Sequence, residues 1–201
     1  MARPRVDPNA EPTEARILRA AAEAFAERGF APARLADIAR AVGIRRPSLL
    51  YHFPSKDELY AAVVHAAFSD LDRALAAAFT LEGSFAVRLE AVVVGYQAFL
   101  EGHPTFAPLI LRELLDGQGP GRERILEELV PLLGRIEAFF RAAPELREGI
   151  EVREALVTIA TAGLVRAASG ELELPVWGNT RSLPHLARTL LLREEPRDAT
   201  P

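Results

Sequence analysis

Cysteine is absent from these 201 residues, so neither a disulfide nor a thiolate metal centre can form. That suits a reducing compartment, and the expectation is a cytoplasmic protein. Tryptophan and methionine occur once each. No run of about eighteen or more apolar residues exists, which argues against a membrane-spanning helix. The opening segment ARPRVDPNAEP has arginines and prolines but no apolar stretch, unlike a secretory leader. Catalytic signatures are missing as well. The histidines His52, His65, His103 and His185 have no partner at H-E-x-x-H or E-x-x-H spacing, and no G-x-S-x-G elbow appears. The expectation is no catalytic residue, no metal, no cofactor and no enzyme.

What the chain does have is a hydrophobic content of 49%, enough for a substantial core, and a charge that is unevenly spread. Residues 1–60 hold ten Lys/Arg and eight Asp/Glu, a balance of +2, while the remainder holds fourteen and twenty, a balance of −6. From Arg28 to Lys56 six basic residues (Arg28, Arg34, Arg40, Arg45, Arg46, Lys56) meet one acid, Asp37. A local excess of +5 inside a chain of net charge −4 is the footprint of a polyanion partner.

The same stretch has helical punctuation. Leu35, Ile38, Ala39 and Val42 fall at i, i+3, i+4 and i+7, which puts one apolar stripe on a short helix. Gly43 ends it, because glycine adopts the left-handed turn most easily. Pro47 then opens a second helix that runs to about His52, with Ser48, Tyr51 and His52 on one side and Leu49 and Phe53 available for packing. Two short helices across a tight glycine turn make a helix-turn-helix, whose second helix enters the major groove. An ordinary helix pair with a solvated basic face is the plainer reading. Arg45 and Arg46 stand at the mouth of that second helix, where arginine can grip guanine O6 and N7. Ser48, Tyr51 and His52 can bond to phosphate oxygens. Ser55 and Glu58 have the S-x-x-E spacing of a capping box, so a fourth helix should start there, its free amides and Lys56 forming a positive end suited to a phosphate.

These residues resemble the N-terminal domain of the TetR family of bacterial transcriptional regulators. The matching stretches are TEARILRAAAEAFAERGF, LADIARAVGI and RRPSLLYHFPSKDELY, over about residues 13 to 60. The resemblance implies an all-α fold of about nine helices: a three-helix head, a connecting fourth helix, and a larger helical body for an effector and dimerisation. It also implies a homodimer on a palindromic double-stranded DNA operator, with no membrane partner. Arg34, Arg45, Arg46, Pro47, Ser48, Tyr51, His52 and Lys56 become the candidate DNA contacts, and Arg16 lies where the family often touches phosphate. Two positions depart from the family pattern. Ala33 and Arg34 stand where threonine or serine is common before the second helix, and Leu50 stands where tyrosine is frequent.

The chain then divides into a disordered arm at 1–12, a DNA-binding domain at 13–56, an effector and dimerisation domain at 57–194, and a loose tail at 195–201. Thr13 is expected to cap the first helix. The fourth helix should reach about Phe79, a fifth cover 84–101, a sixth run from Phe106 to Leu115, and a seventh cover 122–142 after a GQGPG linker. Pro131 inside the seventh should kink it. Helices at 149–169 and 181–193 complete the chain, and the intervening ELELPVWGNT segment has no assignment.

In the family the middle helices enclose the effector. Tyr96, Phe99, His103, Phe106 and Phe139 are the candidate wall, against the plainer reading that each is core. No pair of carboxylates or arginines stands out among them, which favours an apolar effector. The small residues of ALVTIATAGLVRAASG suit an interface between two copies, with Leu156, Ile159, Gly163, Leu164, Leu186 and Leu190 as its candidates; an internal helix pair is the rival. The functional expectation is a ligand-responsive regulator, a repressor released by a small, mostly apolar effector. The alternative is an all-helical small-molecule binding or protein-interaction module that does not read DNA.

Overall fold

The computed structural model describes residues 11–116, 119–178 and 183–193, and over these the fold is all-α with one isolated bridge, Leu146 to Leu192. The arm up to residue 10, Gly117 and Gln118 of the GQGPG segment, and the tail at 195–201 lie outside the described residues.

Helix α1 spans Thr13–Arg28. Its cap is not the threonine. Pro12 holds the N-cap position and its carbonyl accepts the Arg16 N–H at 3.1 Å, which places Thr13 one residue too late to cap. Helices α2 (Leu35–Val42) and α3 (Arg46–His52) are joined at Gly43, which sits in the left-handed region at φ 76° and ψ 27°. The Gly43 N–H returns to the carbonyls of Ala39 and Arg40, closing α2 in the way glycine alone does without strain. Pro47 lies in the first turn of α3, where its missing N–H leaves nothing unpaired. Ile17, Phe25, Ile38 and Leu49 are fully enclosed between these three helices and the start of the next.

Helix α4, Lys56–Phe79, begins as its spacing predicts: Ser55 Oγ accepts the Glu58 N–H at 3.1 Å. Its 24 residues extend for roughly 36 Å at 1.5 Å per residue. One end, with Leu59 and Tyr60, is buried against the head; the other, with Phe68, Leu71 and Leu75, is buried in the body. The ring of Tyr60 meets Phe25 and Phe30 edge-on at 4.9 and 5.0 Å, fastening α4 to α1.

The body is built from α5 (Phe85–Gly102), α6 (Phe106–Asp116), α7 (Pro120–Arg141), α8 (Val152–Ala168), α9 (Glu173–Trp177) and α10 (Leu183–Leu191). Helix α7 starts two residues earlier than its composition suggests. Pro120 is tolerated in the first turn, and Gly121 lets that turn lie flush on Glu113 of α6, where an added Cβ would fall 2.5 Å from a carboxylate oxygen. Pro131 stays inside α7. The unassigned ELELPVWGNT segment supplies a single 3₁₀ turn, Gly170–Leu172, and then α9, so ten helices stand where about nine are expected. Helix α10 packs on α5 and α8, and the Arg147 N–H donates to the Leu191 carbonyl at 2.9 Å. Among the described residues no single helix is long and apolar enough to cross a membrane.

Candidate nucleic-acid interface and body cavity

Helix α3 is short and anchored by one side. Leu49 is fully buried and Phe53 nearly so, which fixes the rotation of the helix and turns its other side to solvent. Arg45, Arg46, Pro47 and Ser48 are exposed, and Tyr51 is 86% exposed, an unusual position for a large aromatic ring unless it meets a partner. His52 is half-buried, its ring edge-on to Tyr51 at 5.6 Å. Leu50 is half-buried, so the side chain that departs from the family pattern faces partly inward.

The charges sort themselves around this helix. Asp37 is paired with Arg40 at 2.9 Å and lies 3.5 Å from Arg28, so the one acid of the basic stretch is neutralised by its neighbours. Arg34, Arg45 and Arg46 are exposed and have no ion-pair partner among the described residues. Arg45 and Arg46, beside the exposed Ser48 and Tyr51, turn their charge to solvent, and Arg34 does so at the start of α2. Arg34 occupies the N-cap of α2 through its backbone: its carbonyl accepts the N–H groups of Asp37 and Ile38, and no side chain caps the helix.

Two of the expected phosphate contacts are engaged elsewhere. Lys56 Nζ donates to the carbonyls of Phe30, Ala31 and Ala33 at 2.9, 2.9 and 3.3 Å and lies over the Phe30 ring. All three of its N–H donors hold the link between α1 and α2. Arg16 donates to the Val42 carbonyl at the end of α2, so it too ties the head together. Both were expected at phosphate, and both hold the head together here. Their partners lie 23 to 26 residues away in the chain, beyond anything local spacing shows.

In the body a cavity of about 260 Å³ opens between five helices. Leu71 and Leu75 come from α4, Val93 and Tyr96 from α5, and Phe106, Ile110 and Leu114 from α6. Helix α7 adds Leu133, Ile136 and Phe140, and α8 adds Leu156, Ile159 and Leu164. The wall is almost wholly carbon. The Tyr96 hydroxyl, one of its few polar groups, already donates to the Ala160 carbonyl at 2.9 Å, and burial pushes that phenol well above its ordinary pKa. Such a space accepts a hydrocarbon surface and offers no charge to a ligand.

Of the expected wall residues, Tyr96 and Phe106 line the cavity and Phe99, His103 and Phe139 do not. Phe99 is core, stacked on His103 at 4.3 Å and edge-on to Phe106 at 4.9 Å. His103 donates from Nδ1 to the Phe99 carbonyl, 2.9 Å away, with Asp70 at 3.4 Å from its Nε2. Phe139 packs on Phe79 at 4.8 Å and under the Arg88 guanidinium. The adjacent ring, Phe140, is the one that reaches the cavity, because one step along a helix turns a side chain by about 100°.

The residues expected at a subunit contact divide between buried and half-buried positions. Leu156, Ile159, Gly163 and Leu164 are buried within the protomer, three of them lining the cavity, while Leu186 and Leu190 are half-buried against the core. Gly163 faces Tyr96 so closely that a Cβ would stand 2.6 Å from its ring. Val157 also lines the cavity, at its open rim, while Val165 of α8 and then Leu172, Leu174 and Val176 are exposed. A second, wider crevice of about 760 Å³ near Ser84, Pro144 and His185 is polar. There Arg193 is held by the Leu146 carbonyl and Glu148, and Arg188 faces Glu90.

Three comparisons bear on this arrangement. The family model for bacterial regulatory proteins of the tetR family matches residues 17–63, which cover most of α1 to α3 and the start of α4. The HTH-type transcriptional regulator RutR of Escherichia coli strain K12 is 48% identical over 48 residues, 24% of this chain and 23% of its own length. This chain thus aligns with only about a quarter of that relative. Over the whole chain the likeness is one of fold. A TetR-like transcriptional regulator from Rhodococcus sp. RHA1 superposes with a TM-score of 0.69 at 23% identity, covering 90% of this chain and 98% of that one. The transcriptional regulator FadR from Bacillus subtilis, in complex with stearoyl-CoA, superposes at 0.68 with 18% identity, covering 88% and 94%.

Proposed function

We propose that the chain, whose head matches the tetR family of bacterial regulatory proteins over residues 17–63, is a ligand-responsive DNA-binding transcriptional regulator. It acts as a repressor in the cytoplasm, binds a palindromic operator as a homodimer, and leaves it when a small, mostly apolar effector fills the body cavity. The observation that carries this reading is α3 itself: a helix anchored by Leu49 and Phe53 presents Arg45, Arg46, Ser48 and Tyr51, exposed, on a face with no compensating acid among the described residues. Arginine and hydroxyl groups in that geometry serve base edges and phosphates.

The two copies meet through the exposed apolar side chains beside the inward-facing set, Val165 on α8 with Leu172, Leu174 and Val176 beyond it. Exposed apolar groups gathered this way support an isologous contact. The carbon-walled cavity supports an uncharged or hydrocarbon-bearing effector. At about 30 Å³ per water-sized unit the space holds on the order of nine such units, a compact molecule or a segment of a chain. Of the stearoyl-CoA in complex with the FadR neighbour, the acyl chain shares that chemistry and the charged CoA portion does not.

Affinity for a duplex selected by the protein, measured with and without saturating n-decanol, tests the switch. Weaker DNA binding in the presence of the alcohol is expected, with a steep fall from about 50 to about 200 mM salt. Salt-insensitive binding would favour the alternative of a module that does not read DNA, and equal affinity with and without a bound alcohol would reject the release mechanism.

A further inference from the structure

Glu113 is the buried charged side chain of the described core, 5% exposed, and nothing in DNA or effector binding uses it. It lies near the C-terminal end of α6, where three elements converge. Its Oε1 accepts the Phe30 N–H, 3.1 Å away, at the turn that follows α1. The preceding residue, Arg112, donates from Nε to the Ala26 carbonyl of α1 at 3.2 Å. Gly121 of α7 lies flush on the carboxylate. The Tyr60 hydroxyl of α4 is buried, finds no hydrogen-bond partner among the described residues, and has its pKa raised by burial first and then by the Glu113 carboxylate.

Phe30 is therefore held on every side. Its N–H goes to Glu113, its carbonyl takes Lys56, and its ring meets Phe25 and Tyr60. The turn it belongs to leads directly into α2 of the helix-turn-helix. The adjoining face of α6 looks the other way. Phe106, Ile110 and Leu114, spaced by four, line the cavity, and Glu113 is next to the last of them. One short helix thus touches the cavity with one row of side chains and the end of α1 with the next. A helix moves as a rod, because its hydrogen bonds and packing leave few soft directions. A shift that makes room for an effector at Ile110 and Leu114 is carried to Phe30 through a buried, charge-assisted bond.

We propose that Glu113 is the positioning residue by which the contents of the cavity are reported to the DNA-binding head. The idea rests on the regulator reading above and deepens it. Helix α4 holds the same turn from its first residue, Lys56, and through the Tyr60 ring; α6 adds a second polar bond, from Glu113 to the Phe30 N–H, one residue from a side chain that lines the cavity.

The test needs no identified effector, because a side chain can fill the cavity. Val93 lines it, and Val93→Phe places a ring inside. Four full-length proteins are compared: wild type, Val93→Phe, Glu113→Ala and the double variant, with thermal melts confirming that each folds. On a duplex selected by the wild type from a randomised pool, Val93→Phe is expected to weaken binding about tenfold in the wild-type background and less than about twofold beside Glu113→Ala. Glu113→Gln, whose amide oxygen still accepts the Phe30 N–H, is expected to fall between, and it carries the comparison if the alanine variant does not fold. A purely structural Glu113 would lower binding overall and leave the tenfold ratio intact, which overturns the proposal. So does a cavity-filling change with no effect in the wild type. Hydrogen exchange of the amides of residues 26–33 is read in the same proteins without DNA. Faster exchange at Phe30 on filling the cavity, lost in the Glu113 variants, supports the clasp. If no duplex is selected at all, the regulator reading fails, while exchange still decides the role of Glu113.

Discussion

Arg45, Arg46 and Lys56 carry the same charge within twelve residues, yet they have different tasks, and the difference yields two measurements. Arg45→Ala and Arg46→Ala remove groups that face solvent, so each should leave stability nearly unchanged. Each should cost about 1–3 kcal/mol in discrimination if it grips a guanine, or reduce the salt slope by about one if it meets a phosphate. Binding isotherms on matched and mismatched duplexes at several salt concentrations separate the two. Lys56→Ala is expected to do the reverse. Loss of its bonds to Phe30, Ala31 and Ala33 should lower the unfolding free energy by about 1.5–3 kcal/mol, read in denaturant, with the salt slope of DNA binding unchanged. The exposure of Arg45, Arg46 and Ser48 was legible in the sequence, because Leu49 and Phe53 set the rotation of α3. The work of Lys56 was not. Its partners depend on how the link after α1 folds back, which spacing along the chain does not encode. Glu113 is the sharper case, a carboxylate whose bond partner lies 83 residues away.

At the scale of the helix, boundaries were legible wherever a residue with special backbone chemistry marked them. Gly43 and Pro47 place the turn of the helix-turn-helix, and Ser55 with Glu58 starts α4 at its observed residue. Faces were legible only where the two sides differ. Helix α8 reads Val152-Arg-Glu-Ala-Leu-Val-Thr-Ile-Ala-Thr-Ala-Gly-Leu-Val, with apolar or small residues most of the way round, so its inward and outward rows look alike in sequence. Leu156, Ile159 and Leu164 went inward to the cavity, Val157 stands half out at its rim, and Val165 stayed out. Gly163 is the hinge of that distinction, since it lets α8 approach Tyr96 of α5. Gly163→Ala should displace the Tyr96 ring, break its bond to the Ala160 carbonyl and destabilise the fold by about 1–3 kcal/mol. Denaturant unfolding measures the loss, and n-decanol binding should weaken with it as the wall shifts.

For the whole molecule, the proposed reading of a palindrome by a basic head on an acidic body needs two copies, and the exposed apolar set is the contact proposed for them. Replacing Val165, 37% exposed, and Leu174, 61% exposed, with lysine is expected to give a folded monomer by sedimentation whose DNA affinity falls steeply. A dimer that survives both changes would place the contact elsewhere. The head, its motif and the all-helical layout were readable from residues alone, whereas the cavity is a product of five helices meeting and has no local signature. The central claim remains that α3 enters a duplex groove in pairs. Selection from randomised duplexes at low salt, followed by sequencing, tests it most directly. An inverted repeat should emerge with half-site centres about 10–10.5 bp, or a multiple, apart, and Arg45→Ala with Arg46→Ala should abolish the enrichment. A wild-type protein that enriches no sequence over the starting pool would contradict the account.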